Sequence, residues 1–176
     1  MASDAAGYEW ALEQAHAAGD SDAIEQLEAI GQPPYTIDEF VTQRRFVAQF
    51  GGSMIDYKSD FELLRISMAT SEFAWPDAGP LVRGISFSSE AIWDEQQTYD
   101  AADHIQRLDV PYFLMVGRHD HIIPSSLSAE FFDGLEATEK ELIWFEESAH
   151  VPFFEEPDTF NQEVLRIAQQ IEMLER

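Results

Sequence analysis

Cysteine is absent from the 176 residues, which excludes disulfide staples, thiol nucleophiles and Cys-based zinc or iron–sulfur sites. Positive charge is scarce. Lys+Arg number 10 against 34 Asp+Glu, giving a formal net charge of -24, and Lys58 and Lys140 are the only lysines. A surface of that sign repels phosphate backbones, so nucleic acid and anionic membranes are poor partners. No apolar run approaches the roughly 18 residues of a membrane span. Residues Met1–Gly7 have neither the basic start nor the apolar core of a secretory leader. The expectation is a cytoplasmic protein with no membrane partner. Hydrophobic residues at 45% and aromatics at 12% are enough to exclude the disordered classes. The length suits one domain, or a small domain with an appendage. The carboxylate excess reads either as a solvated surface that keeps the chain soluble or as adaptation to high salt, where counter-ions screen the repulsion. Composition does not choose between them.

The first two thirds read as short helices. Tyr8, Leu12 and Ala15 share a face that stops at Gly19. Asp22 with Glu25 has the spacing of a capping box and opens a second helix, striped by Ile24, Leu27 and Ile30 and ended by Gly31. Thr36 with Glu39 repeats the capping pattern and opens a third, through Phe40, Val47 and Phe50, broken at Gly51–Gly52. Ser59 with Glu62 predicts another, carrying Leu63, Leu64, Ile66 and Met68. A loop is expected from Trp75 past Gly79–Pro80, then a helix from about Ser88 with Ile92 and Trp93.

The character changes at Pro111. Tyr112–Val116 and Leu142–Phe145 are short apolar runs with the length of buried strands. Leu127, Phe131, Phe132 and Leu135 follow helical spacing between them, and Pro157 opens a last helix striped by Phe160, Val164, Ile167, Ile171 and Leu174. Strand–helix–strand–helix is the pattern of a parallel α/β sheet. Asp120 lies four residues past the first strand and His150 five past the second. Parallel strands place both in loops at the carboxyl edge, where open α/β sheets carry their sites. If the strands are neighbours, about 4.8 Å apart, the carboxylate can reach the imidazole and orient it as a base. A turn-forming aspartate and an unrelated histidine fit the same spacing.

These residues also resemble a known family. LDVPYFLMVGRHDHIIP from Leu108, followed by KELIWFEESAHVPFFEEPDTF ending at Phe160, is similar to the C-terminal half of α/β-hydrolase fold enzymes, in the bacterial branch near proline iminopeptidases. LEAIGQPPY (Leu27–Tyr35) and FSSEAIWDE (Phe87–Glu95) resemble that branch's lid. The resemblance implies a helical lid region over residues 1–108 and a C-terminal core segment over 109–176, holding the last two βα units of the hydrolase sheet. It implies that Asp120, in a Gly117/Asp120/Pro124 motif, is the catalytic acid. It implies that His150, ahead of Glu155, Glu156 and Pro157, is the base. Ala149 departs from the glycine common in relatives. No metal or organic cofactor is expected. Although His119, Asp120 and His121 are adjacent, successive residues of an extended chain alternate sides and converge poorly on one ion.

The family orders its triad as nucleophile, acid, base, with the serine on a G-x-S-x-G elbow. No such motif occurs. Ser53 follows Gly51–Gly52 but Ile55 stands where the last glycine belongs; Ser86 follows Gly84 but Ser88 replaces the closing glycine. Ser125, Ser126 and Ser148 read as helix starts and loop caps. The oxyanion loop is missing as well, so the chain alone is expected to be inactive, with an incomplete fold. Phe46, Phe50, Trp75 and Trp93 are candidates for the wall of an apolar substrate pocket, although lid aromatics also serve to hold a small helical domain together. Arg44–Arg45 reads as a surface ion-pairing site. The expected function is that of the C-terminal part of a serine hydrolase acting on a small ester, amide or short peptide. The alternative is a non-catalytic remnant, or one half of a split enzyme that assembles with a complementing N-terminal half.

Overall fold

Backbone geometry at the helix ends explains the first three elements. The structure, a computed structural model, describes residues 2–56, 76 and 78–174. Helix α1 (Ala2–Ala18) ends at Gly19, whose φ of 67° places it in the left-handed region. Helix α2 (Ser21–Ile30) is capped by Asp20, whose carboxylate accepts from the Ala23 amide at 3.0 Å. The start expected at Asp22 is therefore two residues too late: Asp20 follows the Gly19 turn with the non-helical backbone that a cap requires, whereas Asp22 already lies in the first turn. Helix α3 (Ile37–Gln49) carries the expected capping box. The Glu39 amide donates to Thr36 Oγ1 at 3.3 Å and the Thr36 amide donates to Glu39 Oε2 at 2.7 Å. These helices bury Tyr8, Ala11, Ala15, Ala23, Leu27, Phe46 and Val47 in one cluster.

The helix expected at Ser59–Met68 lies outside the described residues. Helix α4 (Ala78–Thr98) starts about ten residues before Ser88, the expected start. Gly79 and Pro80 fall in its first turn, where amide groups have no intrahelical acceptor and proline loses nothing. Trp93 fixes α4 to α3: its ring meets Phe40 edge-on at 5.2 Å, and its Nε1 donates to the Tyr35 carbonyl at 2.9 Å. A single turn, α5 (Ala101–His104), follows.

The remainder is α/β. Strands β2 (Tyr112–Gly117) and β4 (Lys140–Phe145) pair in parallel, Tyr112 opposite Lys140 and Gly117 opposite Phe145. A separate two-residue parallel pair, β1 (Arg107–Leu108) with β3 (Glu136–Ala137), precedes β2 and β4 respectively in the chain and was not evident from the sequence, being too short for any periodicity. Period-two alternation sorts the side chains of β2 and β4 onto two faces. Helix α6 (Ser125–Gly134) lies on the Tyr112/Lys140 face: Phe132 packs 6.2 Å from Tyr112, and Lys140 Nζ donates to the Phe132 carbonyl at 2.7 Å. After the single turn α7 (Pro152–Glu155), helix α8 (Pro157–Leu174) covers the opposite face. Its Phe160 sits 6.0 Å from Phe145, and Arg166 pairs with Glu141 at 2.9 Å. Val164 and Leu165 of α8 remain exposed, so the apolar stripe read from the sequence is only partly covered among the described residues.

Candidate active site

The parallel pairing puts the loops after β2 and β4 side by side. Asp120 lies in the first and His150 in the second, and His150 Nδ1 donates to Asp120 Oδ2 at 2.9 Å. The other carboxylate oxygen, Oδ1, accepts from the amides of Ile122 at 2.9 Å and Ile123 at 3.0 Å. Asp120 is 8% exposed, whereas the His150 side chain is 39% exposed. A buried carboxylate with all its partners supplied by the protein is fixed in one rotamer. An imidazole with Nδ1 engaged and one side open has Nε2 left for proton exchange with a reacting group.

The loops approach each other so closely that glycine is required at 117. A Cβ there would lie 1.8 Å from the Ala149 carbonyl oxygen and 2.6 Å from that of Ser148. Two successive glutamates hold the histidine loop from below. Glu155 accepts from the Ala149 amide at 2.8 Å and, through its other oxygen, from the Ile55 amide at 2.7 Å. Glu156 accepts from the Glu147 amide at 3.1 Å and from Ser148 Oγ at 2.6 Å. Both glutamates belong to the motif that follows His150, but their inward orientation has no periodic signal in the sequence.

The turn after α3 grips both loops from the helical side. The Gly52 carbonyl accepts from the His121 amide at 2.9 Å, and the neighbouring Ser53 carbonyl accepts from the His150 amide at 3.0 Å. The His121 ring stacks on Trp10 at 3.9 Å, and burial lowers its pKa. Arg44 was expected on the surface, but it is largely buried because it has two acceptors inside. Its Nη1 donates to the Ile122 carbonyl at 2.5 Å and its Nη2 pairs with Asp4 at 2.7 Å. Burial pushes its guanidinium below the usual value, opposed by Asp4 and then by Asp120. Arg45 does face outward, donating to Gln26 at 2.6 Å.

His119, Asp120 and His121 take three separate partners: the Glu146 carbonyl, His150 and Trp10. Among the described residues no three His, Asp or Glu side chains gather as metal ligands. Ser125 Oγ donates to the Arg118 carbonyl, and Ser148 is buried on Glu156. Of the aromatic candidates, Phe46 lies inside the α1–α3 cluster and Phe50 packs at its margin. Trp93 lines a shallow groove with Pro34, Tyr35 and Thr36. Trp75 lies outside the described residues. A separate cavity of about 620 Å³ opens on the α6 face of β2, lined by Tyr112, Leu114, Ile123, Leu127 and Phe131.

Asp120 and His150 thus meet on loops at the carboxyl edge of two parallel strands; comparison with known proteins gives the family. A family model described as "Serine aminopeptidase, S33" matches residues 70–157. The chain belongs to this family of α/β-hydrolases. It is 30% identical over 141 residues to "Probable aminopeptidase YbaC" of Bacillus subtilis (strain 168), covering 79% of this chain and 44% of that protein. It is 26% identical over 133 residues to a pimeloyl-(acyl-carrier protein) methyl ester esterase of Vibrio vulnificus (strain YJ016), covering 74% of this chain and 47% of the esterase. A carboxylesterase of Bacillus subtilis (strain 168) is 28% identical over 74 residues, 42% of this chain and 30% of that enzyme. The chain therefore spans about half the length of the first two relatives, or less. No solved structure matches it. No helix among the described residues is long and apolar enough to cross a membrane.

Proposed function

We propose that this chain supplies the acid and the base of a serine hydrolase that cleaves a small ester, an amide or a short peptide through an acyl-enzyme. The observation that carries this reading is the 2.9 Å bond from His150 Nδ1 to Asp120 Oδ2 at the carboxyl edge of two parallel strands. Asp120 holds the imidazole in the tautomer that leaves Nε2 free of hydrogen and stabilises the imidazolium once formed. His150 Nε2 takes the proton of a serine hydroxyl as its oxygen attacks the carbonyl carbon. The same proton then passes to the departing alcohol or amine, and water repeats the sequence to release the acid. The serine elbow and oxyanion donors lie outside these 176 residues, on a contiguous stretch or on a separate polypeptide. Residues 1–108 serve as the lid region and 109–176 as the closing part of the core. The named activities of the relatives, an aminopeptidase and two kinds of esterase, support both the amide and the ester chemistry. No step calls for a metal or organic cofactor.

A second reading, one half of a split enzyme, is favoured by the free edge of β2. Tyr112 and Arg118 donate toward β4, so alternation turns the Phe113 and Met115 amides to the other side, where no strand pairs among the described residues. Such an edge accepts a further strand. The test combines the purified chain with a polypeptide matching the half of the Bacillus subtilis aminopeptidase that it does not cover. Turnover of p-nitrophenyl acetate is expected only in the mixture, and only with His150 intact. Turnover by the chain alone, or turnover in the mixture that survives His150→Ala, overturns the proposal.

A further inference from the structure

The acid turn is held from a direction that the hydrolase chemistry does not require. The peptide unit joining Ile122 to Ile123 is engaged at both ends. Its N–H donates to Asp120 Oδ1 at 3.0 Å, and its carbonyl accepts from Arg44 Nη1 at 2.5 Å. Because the peptide is planar and trans, these two groups point in opposite directions and move together. Rotating the unit to lose one bond loses the other. The guanidinium draws electron density toward the Ile122 oxygen and so strengthens the N–H that Asp120 accepts. Arg44 is itself anchored, its second nitrogen paired with Asp4 at 2.7 Å, with side-chain exposures of only 19% and 9%. The side chain of Ile122 packs against the α1–α3 core. In a chain with only 10 Lys+Arg, a cation placed inside on a turn carbonyl is not surface decoration.

We propose that Arg44 is a positioning residue for the Asp120–His150 pair, locking the 122–123 peptide so that Asp120 keeps Oδ1 on its amide donors and Oδ2 on His150. The inference rests on reading that pair as the acid and base, but its geometry does not depend on turnover. Arginine suits the task because its rigid fork spans the Ile122 carbonyl and Asp4 at once, whereas lysine offers a single point of charge. The helical segment thereby sets the orientation of a carboxylate on the sheet.

The test is amide hydrogen exchange, followed residue by residue in the full chain, together with the low-field signal of the His150 Nδ1 proton. Arg44→Met is expected to speed exchange at Ile122 and Ile123 by about tenfold or more and to abolish the Nδ1 signal, while the β4 amide of Ile143 changes by less than about twofold. Arg44→Lys, which keeps one donor for the carbonyl, falls between the two. Unchanged protection at Ile122 and Ile123 overturns the proposal. Equal acceleration at Ile143 also overturns it, since that marks a residue serving stability alone. Should Arg44→Met fail to fold, Asp4→Ala keeps the guanidinium and removes its anchor. Selective acceleration at the same two amides then supports the proposal, and none refutes it. Selective acceleration at Ile122 and Ile123 with turnover of the complemented enzyme unchanged would fault the reading of Asp120 and His150 as acid and base and leave the positioning contact standing.

Discussion

At the scale of single residues, the site depends on contacts shorter than any side chain could tolerate. Gly117 is the end of β2 and passes under the Ser148 and Ala149 carbonyls, which are backbone atoms and cannot rotate aside. Gly117→Ala must push the histidine loop away from the strand. The expected cost is about 2–3 kcal/mol, read as a fall in the denaturant midpoint, with loss of the His150–Asp120 bond. Asp120→Asn tests the carboxylate. Its amide oxygen can still accept from Ile122 and Ile123, so the turn survives. Its NH2 then faces His150 Nδ1 and favours the opposite tautomer. Turnover of the complemented enzyme should fall by about 10⁴-fold, while the melting curve moves far less than with Gly117→Ala. Comparable losses of fold in both variants would refute the assignment of separate roles.

At the scale of elements, the helix starts are the most local features and respond to local chemistry. Thr36→Ala removes the acceptor for the Glu39 amide at the start of α3 and should lower stability by about 1 kcal/mol, measured by thermal or denaturant unfolding. The reciprocal half of the box titrates. Hydrogen bonds from the Thr36 backbone and hydroxyl hold the Glu39 carboxyl below its ordinary 4.5. A carboxyl lowered in the folded state contributes stability that is present above the unfolded value and lost as pH falls through the folded one. Protection of the first turn of α3 should therefore be intact at pH 6 and erode below about 4.5, visible as faster exchange at the start of that helix. Erosion setting in on the alkaline side would contradict this origin. The two sheet faces follow equally simple rules, since alternation along β2 and β4 alone separates the α6 contacts from the α8 contacts.

At the scale of the whole molecule, the charge of -24 opposes compactness. Screening should relieve it: raising potassium chloride from about 10 mM to 150 mM shortens the screening length from about 30 Å to about 8 Å, and the melting temperature should rise over that range. A further gain into the molar range marks adaptation to high salt, and a flat response above 150 mM marks a surface that is simply well solvated. The same scale shows why the candidate site has two sources. The sheet supplies Asp120 and His150, but the Gly52 and Ser53 carbonyls and Arg44, all from the helical segment, hold the loops that carry them.

Strand identity and the α3 capping box were legible in the residues because each follows from short-range rules, apolar runs and a three-residue cap spacing; the offsets of Asp120 and His150 from parallel strand ends allowed their pairing, and the family resemblance implied it. The start of α4 was misplaced because Gly79 and Pro80 look like breakers unless the first turn is known. Arg44 read as a surface cation because its acceptors, Asp4 and the Ile122 carbonyl, lie 40 and 78 positions away. The sequence by itself determined the two apolar strands and placed Asp120 and His150 just past their ends. Only the tertiary structure decided what steadies them, because hydrogen bonds to backbone carbonyls and to glutamates five and six residues past the histidine depend on close approach in space and leave no pattern along the chain.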